Sequence, residues 1–353
     1  MRASRVAASR DRLTPMHLSR RTLLGGALAG AAATLGAGLT GCSVLGLNRL
    51  HVNLGIAPGS QTLWRYIAQR KDELLTPRGY DATFHEYPDE VTLRSAFVGG
   101  QVDVIASLVP TVASLAADGL DVQLFLAIAW LHEGYPFITG AETSIKTLQD
   151  LVGKRVATYP LDHPGMGYWR AIYLARTKLD LTALNPVTSL STDQLLLAKK
   201  VDAACMAGAQ WAALQSNGQF RKMTDLETEW QKISGSQRLL VFGGYIARRD
   251  FVQQHLQFVK DFSDVNGQAL QAYHADRGSF LKVTAAYPSP KMSAADNQAQ
   301  ATYLGYDNVT PDRVILTDSD ASDYQKLFSL MAEANYLPKA PSNVANLFYR
   351  PPG

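Results

Sequence analysis

Cysteine is nearly absent from the 353 residues: only Cys42 and Cys205 occur. If Cys42 is consumed by modification, no intramolecular disulfide can form, and the fold must rest on its apolar core. Cys205 sits in the apolar run Ala203-Ala204-Cys205-Met206-Ala207, the setting of a buried, inert thiol. Neither an H-x-x-x-H nor a paired-cysteine spacing occurs, which argues against a metal site. A basic surplus is missing too. The formal charge of +3 comes from residues 1–41, which hold six arginines and one aspartate and leave 28 basic against 30 acidic residues, net −2. That balance removes nucleic acid as a partner. Heptads, low-complexity blocks and basic runs are absent after residue 41. With 46% hydrophobic and 18% charged residues, the chain has ordinary globular composition and room for two domains.

The first 41 residues read as an export signal. Paired arginines in Ser19-Arg20-Arg21-Thr22-Leu23-Leu24 precede an apolar, Gly/Ala-rich segment, Leu23 to Leu39. This points to twin-arginine export. The segment ends in Leu39-Thr40-Gly41-Cys42, which resembles a bacterial lipobox with Cys42 as the lipidated residue. An uncleaved anchor helix is the alternative, and Met16 is an alternative start. Residues 42–48 then form a tether.

Beyond the tether the sequence alternates between strand and helix. Strands are expected at Leu50–Ala57, Ala82–Tyr87, Val102–Ile105, Val122–Trp130, Val156–Tyr159, Val187–Leu190, Val201–Met206 and Arg238–Ala247. Helices are expected from Ser60 to Leu75, Glu90 to Phe97, Pro110 to Gly119, the Pro164 region to Lys178, Thr192 to Lys199 and Gly208 to Gln215. The C-terminal part is mostly helical: Asp250–Ala275, Arg277–Tyr287, Ser293–Leu304 and Ser322–Asn335. Such alternation predicts an α/β protein with mainly parallel sheets. The organising stretch is Leu93–Gly119, a helix–strand–helix unit whose strand ends at Ala106-Ser107, and Val201–Met206 repeats its strand pattern. Ligands of open α/β sheets sit at such carboxyl strand ends, against helix N-termini.

Four segments carry a family resemblance. Gly99–Ser107 (GGQVDVIAS), Ser144–Ala157 (SIKTLQDLVGKRVA), Lys200–Ala203 (KVDA) and Ile246–Val252 (IARRDFV) resemble motifs of the solute-binding proteins of ABC importers, in the sulfonate, taurine and nitrate (NMT1/THI5-like) group. The resemblance covers roughly residues 50–275. It implies a two-lobed periplasmic binding protein of type II, with lobe one at residues 48–134 plus 243–353 and lobe two at 135–242. The crossovers fall near His132–Pro136 and Gly235–Gly243, and hinge closure encloses the ligand. The C-terminal helices are then expected to coat the first sheet. The implied role is a monomeric, lipid-anchored binding subunit in the cell envelope that works with an ABC permease and its ATPase, without a cofactor. A sensory subunit is the second reading. An enzyme on the same fold is the third, although the related pyrimidine synthases depend on a His- and Cys-rich motif that this chain lacks.

By the same resemblance, ligand contacts come from loops at strand ends. Here these are Pro58–Thr62, Ser107–Thr111, Trp130–Tyr135, Tyr159–Gly165 and Ala207–Trp211. Ser60, Gln61, Ser107 and Thr111 offer neutral donors, with helix capping as the alternative for Ser60 and Thr111. Asp162 and His163 can fix an amine or ring nitrogen, or Asp162 can cap the following helix. Trp130, Tyr135 and Tyr159 can wall the cleft, and Gly165, Gly208 and Gln210 complete the candidate set. The sequence departs from the sulfonate binders in two loops, Pro160-Leu161-Asp162-His163-Pro164 and Ala207-Gly208-Ala209-Gln210. Small residues in the second imply a roomier cleft. A sulfonate-like anion and a nitrogen heterocycle such as a pyrimidine precursor both stay open as ligands.

Overall fold

The computed structural model describes residues 49–57, 62–215, 218–286 and 314–350. Cys42, Ser60, Gln61 and the expected helix Ser293–Leu304 lie outside these residues. Among the described residues, no helix is long and apolar enough to cross a membrane.

The first stretch supplies β1 (Leu50–Ile56), α1 (Thr62–Gln69), α2 (Lys71–Leu74), β2 (Tyr80–Glu86), α3 (Glu90–Val98), β3 (Val104–Leu108), α4 (Val109–Ala117) and β4 (Val122–Trp130). The expected single helix up to Leu75 breaks at Arg70, whose backbone leaves the helical region (φ −117°, ψ 21°). A second group comprises β5 (Phe137–Gly140), β6 (Val156–Thr158), α5 (Pro164–Thr177), β7 (Val187–Thr188), α6 (Thr192–Leu197), β8 (Ala203–Cys205), α7 (Gly208–Leu214), β9 (Phe220–Thr224) and α8 (Leu226–Ser234). The chain closes with β10 (Val241–Arg248), α9 (Arg249–Gln254), α10 (Leu256–Ala275), α11 (Arg277–Ala285) and α12 (Asp318–Glu333).

These strands make two five-stranded sheets, in the orders β2-β1-β3-β10-β4 and β7-β6-β8-β5-β9. In each, three neighbouring strands pair in parallel and a fourth runs antiparallel between the third and the fifth. The two sheets therefore repeat one plan. The sequence repeat Val102-Asp103 and Val201-Asp202 marks the same place in both. Asp103 accepts the backbone N–H of Asn53 in β1 through its carboxylate (2.8 Å), while its own N–H donates to the Asn53 carbonyl (2.9 Å). Asp202 does the same to Arg155, just ahead of β6, at 2.9 and 2.7 Å. Each aspartate thus satisfies a backbone donor of the neighbouring chain segment and fixes the register of the parallel pair. Its role is architectural.

Helices cover both faces of the first sheet. α1, α10 and α11 pack on one side through Trp64, Ile67, Phe258 and Phe262. The other side opens into a core that continues without a break to the second sheet, joining Phe97, Leu124 and Ile246 to Phe137, Trp169 and Tyr324. The free face of the second sheet carries a smaller core around Ile138, Leu196 and Met206. The expectation that the C-terminal helices coat the first sheet is corrected for α12, which lies along α5. There the Tyr324 hydroxyl meets that of Tyr168 at 2.7 Å and bonds the Val241 carbonyl, and Arg238 pairs with Asp323 at 2.6 Å. The tail then returns to the first sheet, where the N–H of Tyr349 donates to the Leu124 carbonyl (2.8 Å).

Replacing Asp103 with Ala strands the Asn53 N–H. The expected loss is about 1–2 kcal/mol of stability, read as a lower urea midpoint with unchanged slope. Asp202→Ala should act in the same direction. An unchanged midpoint in both variants would contradict the register role.

Candidate functional site

The carboxyl ends of the parallel strands in both sheets point to one region, where α4 packs against α5. On the first sheet, Ser107 stands one residue before the end of β3 and is buried. Its hydroxyl donates to a carboxylate oxygen of Glu90 (2.8 Å) and shares a hydrogen bond with Thr111 (2.8 Å), also buried, in the first turn of α4. Glu90 opens α3, directly behind the helix cap Asp89, whose carboxylate accepts the N–H of Thr92 (2.7 Å). Burial raises the Glu90 carboxyl to about 7, the Ser107 hydrogen bond pulls it down, and the nearby Asp89 charge raises it.

On the second sheet an aromatic cluster forms. The Tyr135 ring stands edge-on to Tyr159 (5.4 Å between centroids), His163 (5.5 Å) and Phe242 (6.0 Å), and Tyr159 lies 4.9 Å from His163. Two glycines make this possible. A β-carbon on Gly165 would sit 2.8 Å from the Tyr135 ring, and one on Gly167 would sit 2.6 Å from the Tyr336 ring. Tyr336, in the turn after α12, also donates from its hydroxyl to the Asp162 carbonyl (3.5 Å). The first crossing that carries Tyr135 is bent: Glu133, Gly134 and Tyr135 have φ of 51°, 48° and 40°. Such angles disfavour a non-glycine residue by about 1–2 kcal/mol. Contacts with β9 and α8 hold them. The N–H of Glu133 donates to Glu227 (3.0 Å), Lys222 pairs with Glu133 (2.8 Å), and the Leu226 N–H donates to the Gly134 carbonyl (3.2 Å).

His163 is the cap of α5. Its Nδ1 accepts the N–H of Gly165 (3.1 Å), so the alternative of Asp162 as cap is not the one observed. Burial lowers the imidazole to about 4, opposed by the charge of Asp89 from the first sheet, so His163 is neutral at physiological pH. Asp162 is exposed, and among the described residues its carboxylate takes no hydrogen bond. Gln210 is fully engaged. Its carbonyl accepts from the Tyr159 hydroxyl (2.7 Å) and the Ala207 N–H (3.0 Å), and its amide donates to the Leu190 carbonyl and to Asp193, both at 3.0 Å. It fixes Tyr159 in place. Gly208 is buried at the start of α7, and Trp130 is buried in the shared core at the end of β4.

Of the expected residues, then, the structure brings together Ser107 and Thr111 on one side and Tyr159, His163, Gly165 and Gln210 on the other. Asp162 stays at the rim. Sequence reasoning missed Asp89, Glu90 and Tyr336. The first two come after β2 and open a helix, the same signal that marked the other loops; nothing in the sequence marks Tyr336. Cys205 is buried, with its thiol pushed up by burial and donating to the Tyr135 carbonyl (3.4 Å). Among the described residues no group of three His, Cys, Asp or Glu side chains is placed to hold a metal. A groove of about 460 Å³ near Arg176, Lys178, Lys232 and Lys326 lies away from the strand ends, on α5, α8 and α12.

This arrangement, two like sheets with facing carboxyl edges and two crossings, is the periplasmic binding protein fold. The aliphatic sulphonate binding protein SsuA of Escherichia coli superposes with a TM-score of 0.66 at 16% identity, over 84% of this chain and 96% of that one. The alkanesulfonate-binding protein SsuA of Xanthomonas axonopodis pv. citri, bound to MOPS, gives 0.64 at 19% identity, over 85% and 98%. A Candida albicans gene product described as having the generic periplasmic binding protein fold gives 0.58 at 13%, over 85% and 96%. No curated protein matches the sequence. The NMT1/THI5-like family profile matches residues 65–277, and the chain belongs to that family. Its SsuA neighbours are binding proteins, not enzymes.

The two shifted groups oppose each other in their effect on stability. Glu90 has a folded value near 7 against an ordinary 4.5, so stability falls as pH rises through that window. His163 has about 4 against 6.5, so stability falls as pH drops through its own window. Glu90→Gln removes only the first effect. Its melting temperature should gain on the wild type as pH goes from about 5 to about 8; a gap that stays constant with pH would contradict the buried-carboxyl account.

Proposed function

We propose that this protein is the solute-binding subunit of an ABC import system. It captures a small organic solute between two lobes and delivers it to a membrane permease with its ATPase. The observation that carries this reading is the convergence of both carboxyl edges on one site, with Ser107, Thr111 and Glu90 on one side and Tyr135, Tyr159 and His163 on the other. Family membership and the shared fold support it. The lobes would be residues 48–134 plus 243–353 and 135–242, hinged at the bent Glu133–Tyr135 crossing and at the approach to β10. Since α12 leans on α5, the C-terminal segment would be a third link between them. Ligand need only favour the closed arrangement over the open one. The solute is sulfonate-like or a nitrogen heterocycle such as a pyrimidine precursor.

The N-terminal arginine pair and Leu39-Thr40-Gly41-Cys42 support twin-arginine export and lipidation at Cys42, which would hold a monomer at the outer face of the membrane. Cys42→Ala should then move the protein from the membrane to the soluble fraction; retention would remove the lipid anchor from the account. A sensory subunit of the same fold is the second reading; finding a permease and ATPase gene pair beside this one would speak against it.

A thermal-shift screen of the form starting at Ser43 tests the binding role. The panel holds taurine, alkyl and aryl sulfonates, nitrate, bicarbonate, aminopyrimidines, thiamine and riboflavin. A solute at a hundredfold its dissociation constant adds about 2.7 kcal/mol of stability. One chemical class should raise the melting temperature, and Ser107→Ala should weaken its binding about five- to tenfold. A folded sample silent across the panel would count against solute binding.

A further inference from the structure

We infer that Glu90 makes this cleft a receptor for a small organic solute that presents a protonated nitrogen or N–H donors, and that it turns bare anions away. The inference rests on the solute-binding reading and selects among the ligand chemistries that reading leaves open.

Anion-binding clefts of α/β proteins depend on free helix N-termini and neutral hydroxyls. Among the described residues, part of both resources is taken up by the protein's own acceptors. At the start of α3 the Asp89 carboxylate takes the Thr92 N–H, and at the start of α5 His163 takes the Gly165 N–H. At the start of α7, Gln210 reaches back to the Ala207 N–H. α4 has no side-chain cap, and there the Ser107 hydroxyl donates to Glu90 instead of outward. A sulfonate entering this corner would meet a carboxylate where the sulfonate-type site needs a donor.

The same corner suits a donor. Glu90 is half-buried, and among the described residues Ser107 is its only hydrogen-bond donor, so its second carboxylate oxygen has acceptor capacity to spare. The cations nearest this region are committed elsewhere: Arg94, on the same helix, pairs with Asp118, and Arg170 pairs with Asp180. From the second sheet comes an aromatic wall of Tyr135, Tyr159 and Phe242, whose ring faces attract a cation, together with a neutral His163 that adds no positive charge. The other groups that bear on Glu90 are Asp89, one residue before it, and Tyr336, whose hydroxyl burial keeps protonated. None of them supplies a countercharge. A bound cation would, and it would do so between the two sheets, where its presence favours closure.

Two pairs of probes with matched shape and opposite charge test this: benzamidinium against benzoate, and propylammonium against propanesulfonate. Each is titrated at about pH 6 and about pH 8 into the wild type, Glu90→Gln and Ser107→Ala, with melting curves of the unliganded variants as the folding control. The nitrogen-bearing member of at least one pair should bind, and its partner should not. Affinity should rise about tenfold over that pH interval as Glu90 ionises, and Glu90→Gln should lose both the binding and the pH dependence. Ser107→Ala, which keeps the carboxylate, should retain the preference for the cation. Binding of benzoate or propanesulfonate by the wild type overturns the inference while leaving the solute-binding reading intact. A cation that binds Glu90→Gln as well as the wild type also overturns it. Silence from all four probes overturns it, and the wider screen for solute binding then decides separately whether that reading survives.

Discussion

The cleft depends on two missing β-carbons. Gly165 and Gly167, in the first turn of α5, leave the helix backbone bare so that the rings of Tyr135 and Tyr336 can lie on it. Tyr135 belongs to the first crossing between the sheets, and Tyr336 to the turn after α12. Both distant segments are thereby fixed to the helix whose cap, His163, faces the first sheet. A methyl group at either glycine must push an aromatic ring aside, because the ring is stiff and flanked by others. The aromatic wall, the bent crossing and the C-terminal segment would lose their common support together.

Around that contact the chain repeats one architectural device. Asp103 and Asp202, each just ahead of its own strand, trade a pair of hydrogen bonds with the backbone of the neighbouring parallel strand or the residue before it, once in each sheet. The difference between the halves lies at the other ends of the strands. The first sheet offers hydroxyls and a carboxylate; the second offers rings, a neutral imidazole and an amide whose hydrogen bonds are all internal. On the proposed reading, recognition would belong to neither half alone, and a hinge between them would couple binding to closure.

Much of this architecture is legible in the sequence. The long apolar run Val122–Trp130 announces a strand buried on both faces, and the Val-Asp pairs at 102–103 and 201–202 announce the parallel strands β3 and β8. β5 and β9 are not foreseen. β5 is four residues long, and β9, Phe-Arg-Lys-Met-Thr, carries two cations in a strand that is mostly half-buried, so neither shows a clean period. α8 is also missed, although Asp225 caps its start and Gly235 its end. At the site, Ser107 and Thr111 can be read from the polar break after a buried strand. Their engagement with Glu90 cannot, since it joins the ends of two different strands that only the sheet order places side by side. Gln210 shows the converse: an amide in the right loop whose bonding capacity is consumed by its neighbours.

Amide hydrogen exchange, with and without a saturating amount of the solute that raises the melting temperature most, tests the central claim directly. If solute is held between the two carboxyl edges, exchange slows together at residues 89–93 and 107–111 of the first sheet and at 163–167 and 207–211 of the second. Protection confined to one sheet, or appearing instead along the groove between Lys178 and Lys326, would contradict the account.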